Sequence, residues 1–270
     1  MEILRSRVVR HLRLEDGGYV AAASGLARAR GKLYVAADDE LSLAVFDAAS
    51  VAPGKCLPLA VEKLPAEQQA RKAAKPDLEA LATLPSGGLV VLGSGSGDRR
   101  HRGFVVSLDG EDVRELDLHR LHDTIAREID GPLNLEGAEW HAGRLLLAQR
   151  GAAGAAGALV KVSWPGMVVE DVEPVAAGAL DGVPLGMTDL ARLPDGRLLA
   201  SYAAEASENA YDDGTVAGSA IGFHGHEPWR LEGHWKVEGI WSDGRELLMV
   251  TDADDPSDPA VLLRALLPAE

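Results

Sequence analysis

Four acidic residues, Glu79, Glu136, Asp189 and Glu238, stand at or beside the start of similar short phrases: small residues, an apolar stretch, a glycine turn, a second apolar stretch. Carboxylates brought together at equivalent points of a repeated structure repel one another. A bound cation or a captured proton relieves that repulsion. Oxygen-only ligands suit Ca²⁺ or Mg²⁺ better than zinc. The sequence therefore nominates Glu79, Glu136, Asp189 and Glu238 as metal ligands. A divalent cation held there would polarise a substrate and activate water, as in a phosphoesterase- or lactonase-type hydrolase. The other reading is non-catalytic: acids at strand starts that bond the neighbouring unit's backbone and fix register, in a ligand- or protein-binding protein. Glu136→Gln would then destabilise the fold without touching ligand binding.

A second group lies about a dozen residues further along each phrase and includes Asp38, Asp39, Ser94, Ser96, Gln149, Arg150, Ser201, Tyr202, Thr251, Asp252 and Asp254. Arg150 is the fixed cation in this group and a natural anchor for a carboxylate or phosphate. Arg150, Asp38, Ser94 and Asp252 are the expected contacts to a small-molecule ligand. The expected cofactor is Ca²⁺ or Mg²⁺, with no organic cofactor.

The elements that must position these groups follow from the repeat. Ser24, Glu79, Glu136, Thr188 and Glu238 anchor five copies, at steps of 55, 57, 52 and 50 residues. Carrying the count past residue 270 and back to Ser24 gives 56, so the repeat closes on itself. Each copy parses into four short strands. The first strands are expected at 78–84, 135–140, 187–193 and 237–242. Glycine turns follow, supplying positive φ. Second strands are expected at 33–36, 89–92, 145–148, 198–200 and 247–250, and third strands at 42–46, 104–108, 159–162, 220–223 and 260–266. Fourth strands are expected at 57–61, 113–118, 168–172 and 229–233. The fifth copy lacks a fourth strand, and residues 7–14 can supply it. These features predict an all-β, five-bladed β-propeller, one domain over 1–270, closed by its N-terminal strand. A six-bladed ring is the alternative; the connections 65–76 and 118–129 look helical or loop-like instead.

The phrases Asp77-Leu-Glu-Ala-Leu, Asn134-Leu-Glu-Gly-Ala and Gly186-Met-Thr-Asp-Leu-Ala-Arg-Leu-Pro-Asp-Gly resemble uncharacterised bacterial propeller proteins of the domain-of-unknown-function kind. More loosely, they resemble phytase-like and SdiA-regulated propellers. A more distant similarity is to the gluconolactonase and senescence-marker group, where a Glu-Gly opening an inner strand supplies a metal ligand. Here Glu-Gly recurs at Glu136 and Glu238, with Glu-Ala at Glu79, which departs from that group's single glutamate. The resemblance implies a propeller fold and makes lactonase activity a candidate.

The formal net charge of −15 argues against nucleic acid or an anionic membrane as partner. The single cysteine, Cys56, excludes an intrachain disulfide framework. With no run of 18 apolar residues and no apolar leader, the expected location is the cytoplasm; the oligomeric state is left open. Gly93-Ser-Gly-Ser-Gly97 matches neither phosphate-loop nor nucleophile spacing and reads as a blade-top loop. His224 and His226 read as a surface turn, and His119 and His122 as a solvated helix face. The acidic run 252–258 lacks the calcium-loop glycine and glutamate, and 205–214 reads as a long loop, either a lid over the mouth or a mobile segment.

Overall fold

The computed structural model describes all residues except 66, 152–154, 207–214, 254 and 269–270. Asp254 and most of the expected loop over the mouth therefore lie outside the described residues. Five sheets form the ring, four with four antiparallel strands and the fourth blade's with six, a five-bladed β-propeller rather than a six-bladed one. Blade 1 is Ala23–Ala29, Lys32–Ala37, Ser42–Asp47 and Lys55–Pro58, and blade 2 is Leu78–Thr83, Leu89–Gly93, Arg102–Val106 and Val113–Asp117. Blade 3 is Leu135–His141, Arg144–Gln149, Gly157–Ser163 and Val168–Val175. Blade 4 is Val183–Arg192, Leu198–Ala206, Thr215–Phe223 and Trp229–Leu231. Blade 5 is Lys236–Ser242, Glu246–Asp252 and Val261–Leu266, completed by the N-terminal Ser6–His11.

The latch is thus shorter than the expected 7–14, because Arg13 and Leu14 turn away into isolated bridges with Tyr19 and Gly54. An addition not foreseen is Ile3–Leu4, which pairs in parallel with the outer strand of blade 4. The N-terminus therefore clasps two blades. Arg10 strengthens the clasp: its guanidinium donates to the Ser50 carbonyl at 2.8 Å and the Asp47 carbonyl at 3.1 Å in blade 1, and lies over the Phe46 ring at 4.7 Å. Removing a charged, buried donor from these carbonyls costs about 2–3 kcal/mol. Arg10→Ala is therefore expected to lower the urea midpoint by that stability, with an unchanged slope.

Second strands are apolar without alternation because both faces are buried. In blade 2, Leu89 and Val91 face blade 1, whereas Val90 and Leu92 face blade 3. Blade 3 repeats this with Leu145 and Leu147 against blade 2, and Leu146 and Ala148 against blade 4. The hydrophobic core is accordingly divided into five clusters, one per blade–blade interface. Two helices, Gln68–Ala74 and His119–Ala126, occupy the two long connections. No helix among the described residues is long and apolar enough to cross a membrane.

Candidate functional site at the channel mouth

Every inner strand carries a register shift at the same place, between Ala23/Gly25, Leu78/Ala80, Leu135/Gly137, Met187/Asp189 and Val237/Gly239. The residue skipped in each blade is the repeat's anchor: Ser24, Glu79, Glu136, Thr188 and Glu238. A bulge re-aims its extra side chain out of the alternation. Where the anchor is a hydroxyl it bonds the next blade: Ser24 Oγ donates to the Leu78 carbonyl at 2.6 Å, and Thr188 Oγ1 to the Val237 carbonyl at 2.8 Å. The three glutamate anchors make no such bond to the next blade's carbonyl among the described residues, and their carboxyls couple to one another instead.

The chain of influence closes on itself. Asp38 feels Asp77 and Asp252; Glu79 feels Asp77 and Glu136; Glu238 feels Glu136 and Asp252. On one side, Asp77 Oδ1 meets Lys75 Nζ at 2.9 Å and its Oδ2 meets Arg100 at 2.8 Å. Ser94 donates to the same carboxylate, and Lys75 also pairs with Asp38. Asp77 itself sits in the left-handed region at φ 55°, a conformation a non-glycine residue rarely keeps. On the other side, Arg150 is clasped by Glu136 at 3.2 Å and Glu205 at 2.6 Å, with Glu238 at 3.9 Å. Lys236 meets Asp252 at 3.2 Å and Glu238 at 3.4 Å.

The balance of charge is uneven. These contacts and couplings link seven carboxyls (Asp38, Asp77, Glu79, Glu136, Glu205, Glu238, Asp252) and four cations (Lys75, Arg100, Arg150, Lys236). Three negative charges are left over, and three carboxyls respond. Burial pushes Asp38 up to about 7, opposed by Lys75 and reinforced by Asp77 and Asp252. Burial pushes Glu238 up to about 8, opposed by Lys236 and reinforced by Glu136. Burial, then Asp77 and Glu136, holds Glu79 well above the usual carboxylate range. Glu79 makes no hydrogen bond or ion pair among the described residues, and the buried Oε2 of Glu238 has no hydrogen-bond partner there. Asp38, Asp77 and Glu79 each offer one carboxylate oxygen, all within 4.8 Å of one another.

The structure brings Glu79, Glu136 and Glu238 to this mouth together with Asp38, Ser94, Arg150 and Asp252. It does not bring Asp189. That residue follows the bulge, so its side chain points between blades: Oδ2 accepts the Ile240 N–H at 2.8 Å. Asp189 holds register between blades 4 and 5, the role proposed for the whole set by the non-catalytic reading. Arg150 is at the mouth, but three carboxylates already surround it.

Lys75, Arg100 and Lys236 were missed by sequence reasoning. Lys236 had a signal: it lies two residues before Glu238, the place in the repeat that Asp77 takes before Glu79 and Asn134 before Glu136. The Gly93–Gly97 loop is tightly packed: a Cβ on Gly95 would lie 2.7 Å from His122 Nδ1. His122 is not solvated: it is buried, with its Nδ1 2.8 Å from that of His101.

Fold and site together define a five-bladed β-propeller whose channel mouth carries more carboxyls than cations. The chain belongs to a family of unknown function (DUF6929), whose profile matches residues 19–267. No curated protein matches it. Among solved structures it is similar to the glutaminyl cyclase of Myxococcus xanthus, at 13% identity over 99% of both chains with a TM-score of 0.55. It is also similar to a streptogramin B lyase, at 10% identity over 96% of this chain and 98% of that one (TM-score 0.46). A gluconolactonase-like protein matches at 10% identity over 98% of this chain and 94% of that one (TM-score 0.49). At 13% identity the likeness to the cyclase is one of fold.

Proposed function

We propose that this propeller binds a divalent cation, Ca²⁺ or Mg²⁺, and with it a small-molecule ligand at the mouth of the channel. The observation that carries this reading is the trio Asp38, Asp77 and Glu79, whose oxygens lie within 4.8 Å of one another while Glu79 is left without a hydrogen bond or ion pair among the described residues. Two oxygens bound to one Ca²⁺ at about 2.3–2.6 Å are never further apart than roughly 5 Å, so the spacing fits. The three surplus charges are met equally by one divalent cation and a single proton. A cation bound beside Glu79 would work in hydrolysis of the phosphoesterase or lactonase type, polarising the substrate's oxygen. Ser94, Asp252 and Arg150 would border the ligand. A kinship with phytase-like or SdiA-regulated propellers is part of this proposal. Nucleic acid and membrane are not proposed as partners.

Calorimetric titration of chelator-stripped protein with CaCl₂ or MgCl₂ at pH 8 tests the reading. One ion per chain is expected, with Glu79→Gln weakening affinity at least tenfold (~1.4 kcal/mol). Wild-type protein that takes up neither ion would overturn it.

The non-catalytic reading draws on a separate observation. Arg150 and Lys236 are already engaged by Glu136, Glu205, Glu238 and Asp252. In that case these acids are structural, and only ligand or protein binding remains.

A further inference from the structure

The trio Asp38, Asp77 and Glu79 already holds a cation of the protein's own. Lys75 lies in the connection between the helix Gln68–Ala74 and the inner strand of blade 2. Its ammonium pairs with Asp38 Oδ2 and lies 2.9 Å from Asp77 Oδ1. Glu79 acts on it too: burial pulls the Lys75 ammonium down, but Asp38, Asp77 and Glu79 together outweigh burial and hold it above its usual range. The three carboxyls that offer oxygens within 4.8 Å of one another are therefore the three that hold Lys75.

Lys75 and a metal ion cannot share these oxygens, and Asp77 is the group that decides it. Its Oδ2 accepts from Ser94 and faces Arg100 at 2.8 Å, and Arg100 in turn donates to Ser96. Its Oδ1 carries Lys75. An ion that coordinates Asp77 has to take an oxygen from one of these two cations, and Lys75 is the one paired with two members of the trio. At a Ca²⁺–oxygen distance of about 2.3–2.6 Å the ion would stand against the ammonium, where like charges repel strongly.

The side chain can leave without its backbone. It is a compact charge on a flexible four-carbon stem, and at 19% exposure it already touches water. The helix before it is anchored separately, by Arg71 on Asp39 at 3.3 Å and on Glu40.

We infer that Lys75 is a tethered competitor for the cation site: its ammonium occupies the trio, a divalent cation displaces it to solvent, and Lys75 thereby sets the affinity of the mouth for metal. This role rests on the cation reading of the mouth. The apparent dissociation constant is the intrinsic one divided by the fraction of molecules with Lys75 out, so a fraction of about one-tenth weakens the site roughly tenfold.

Titration calorimetry with CaCl₂ at pH 8 compares chelator-stripped wild type with Lys75→Gln and Lys75→Arg. Lys75→Gln is expected to bind Ca²⁺ at least about tenfold more tightly, and Lys75→Arg, which keeps the charge, no more tightly than wild type. A second readout needs no variant: acetylation of wild-type lysines by an N-hydroxysuccinimide ester, followed by peptide mass spectrometry. An ammonium released from three carboxyls gives up its proton more readily, so saturating CaCl₂ is expected to speed labelling of Lys75 at least about fivefold. Lys32, in an exposed pair with Asp47, should label at an unchanged rate. Ion binding by wild type with no gain in Lys75→Gln, or with Lys75 labelling unchanged, overturns the inference and leaves the cation reading standing. Binding by Lys75→Gln but not by wild type supports the competitor and overturns the cation reading of the native chain. No binding by any of the three proteins overturns both.

Discussion

Alanine at Gly137 is expected to destabilise the protein by about 3 kcal/mol, the upper range of overpacking costs, or roughly 6–12 °C in melting temperature for a domain of this size. The added Cβ would lie 2.5 Å from Asp189 Cα and 2.9 Å from the Thr188 carbonyl. Both atoms are backbone of the neighbouring inner strand and cannot swing aside. Gly239 faces the same restriction, with Leu26 N at 2.7 Å and Gly25 C at 2.8 Å from its added carbon. These glycines let the inner strands of blades 3 and 4, and of blades 5 and 1, approach closely, while between blades 4 and 5 Asp189 accepts the Ile240 N–H. Asp189→Ala should cost about 2–4 kcal/mol, because it strands that buried donor and leaves a void. Asp189→Asn should cost less than about 1 kcal/mol: burial raises the Asp189 carboxyl and so favours the uncharged form, and asparagine keeps an oxygen to accept the Ile240 N–H. Urea unfolding of the three variants checks the series. An Asn variant as unstable as the Ala variant would show that an ionised Asp189 is what the interface needs.

Raising the pH from about 5 to about 9 is expected to lower the melting temperature progressively, and a divalent cation should reverse the loss. The sign follows from proton linkage. Asp38 and Glu139 are pushed up to about 7 and Glu238 to about 8, in each case by burial first. A carboxyl raised in the folded state keeps a proton that the unfolded chain gives up near pH 4. Its contribution is complete below the unfolded value and is lost as the pH climbs through the folded one. Glu238→Gln cannot ionise and should flatten the slope by about one proton, or ~1.4 kcal/mol per pH unit. At pH 8, a divalent cation at a hundred times its dissociation constant should restore about 2.7 kcal/mol, a rise of roughly 5–10 °C. Thermal melts across the pH range with chelator or with CaCl₂ read all of this. Stability that increases towards pH 9 in chelator would contradict the placement of these buried acids.

The repeat made the ring legible before any coordinates. Anchor spacing, glycine turns and unalternating runs such as Leu89–Val90–Val91–Leu92 place the strands, and the unpaired fifth copy points to the N-terminal latch. What escaped were contacts joining residues far apart in the chain. Arg150 to Glu205 and Arg100 to Asp77 depend on how strand ends and loops from separate segments meet at the mouth, and no local period records that. Asp189 was grouped with the glutamates because it is acidic and sits near the anchor. The bulge at Thr188 shifts it by one place, and in a strand one place is the opposite direction. His122 has a similar history: the helix His119–Ala126 is legible, but its buried face depends on Gly95 and Leu133 arriving from other segments.

By itself, the sequence determined how many blades there are, how the ring closes and which end of it gathers acids, because these follow from periodicity and from side-chain type. Only the tertiary structure decided which acids meet. It parted Asp189 from the glutamates, matched Lys75, Arg100, Arg150 and Lys236 to their partners, and left Glu79 without a hydrogen bond or ion pair among the described residues. Charge balance in a buried site is a sum over all neighbours within a few ångströms, and neighbours from five blades are set by the closure of the ring, not by any one stretch of chain.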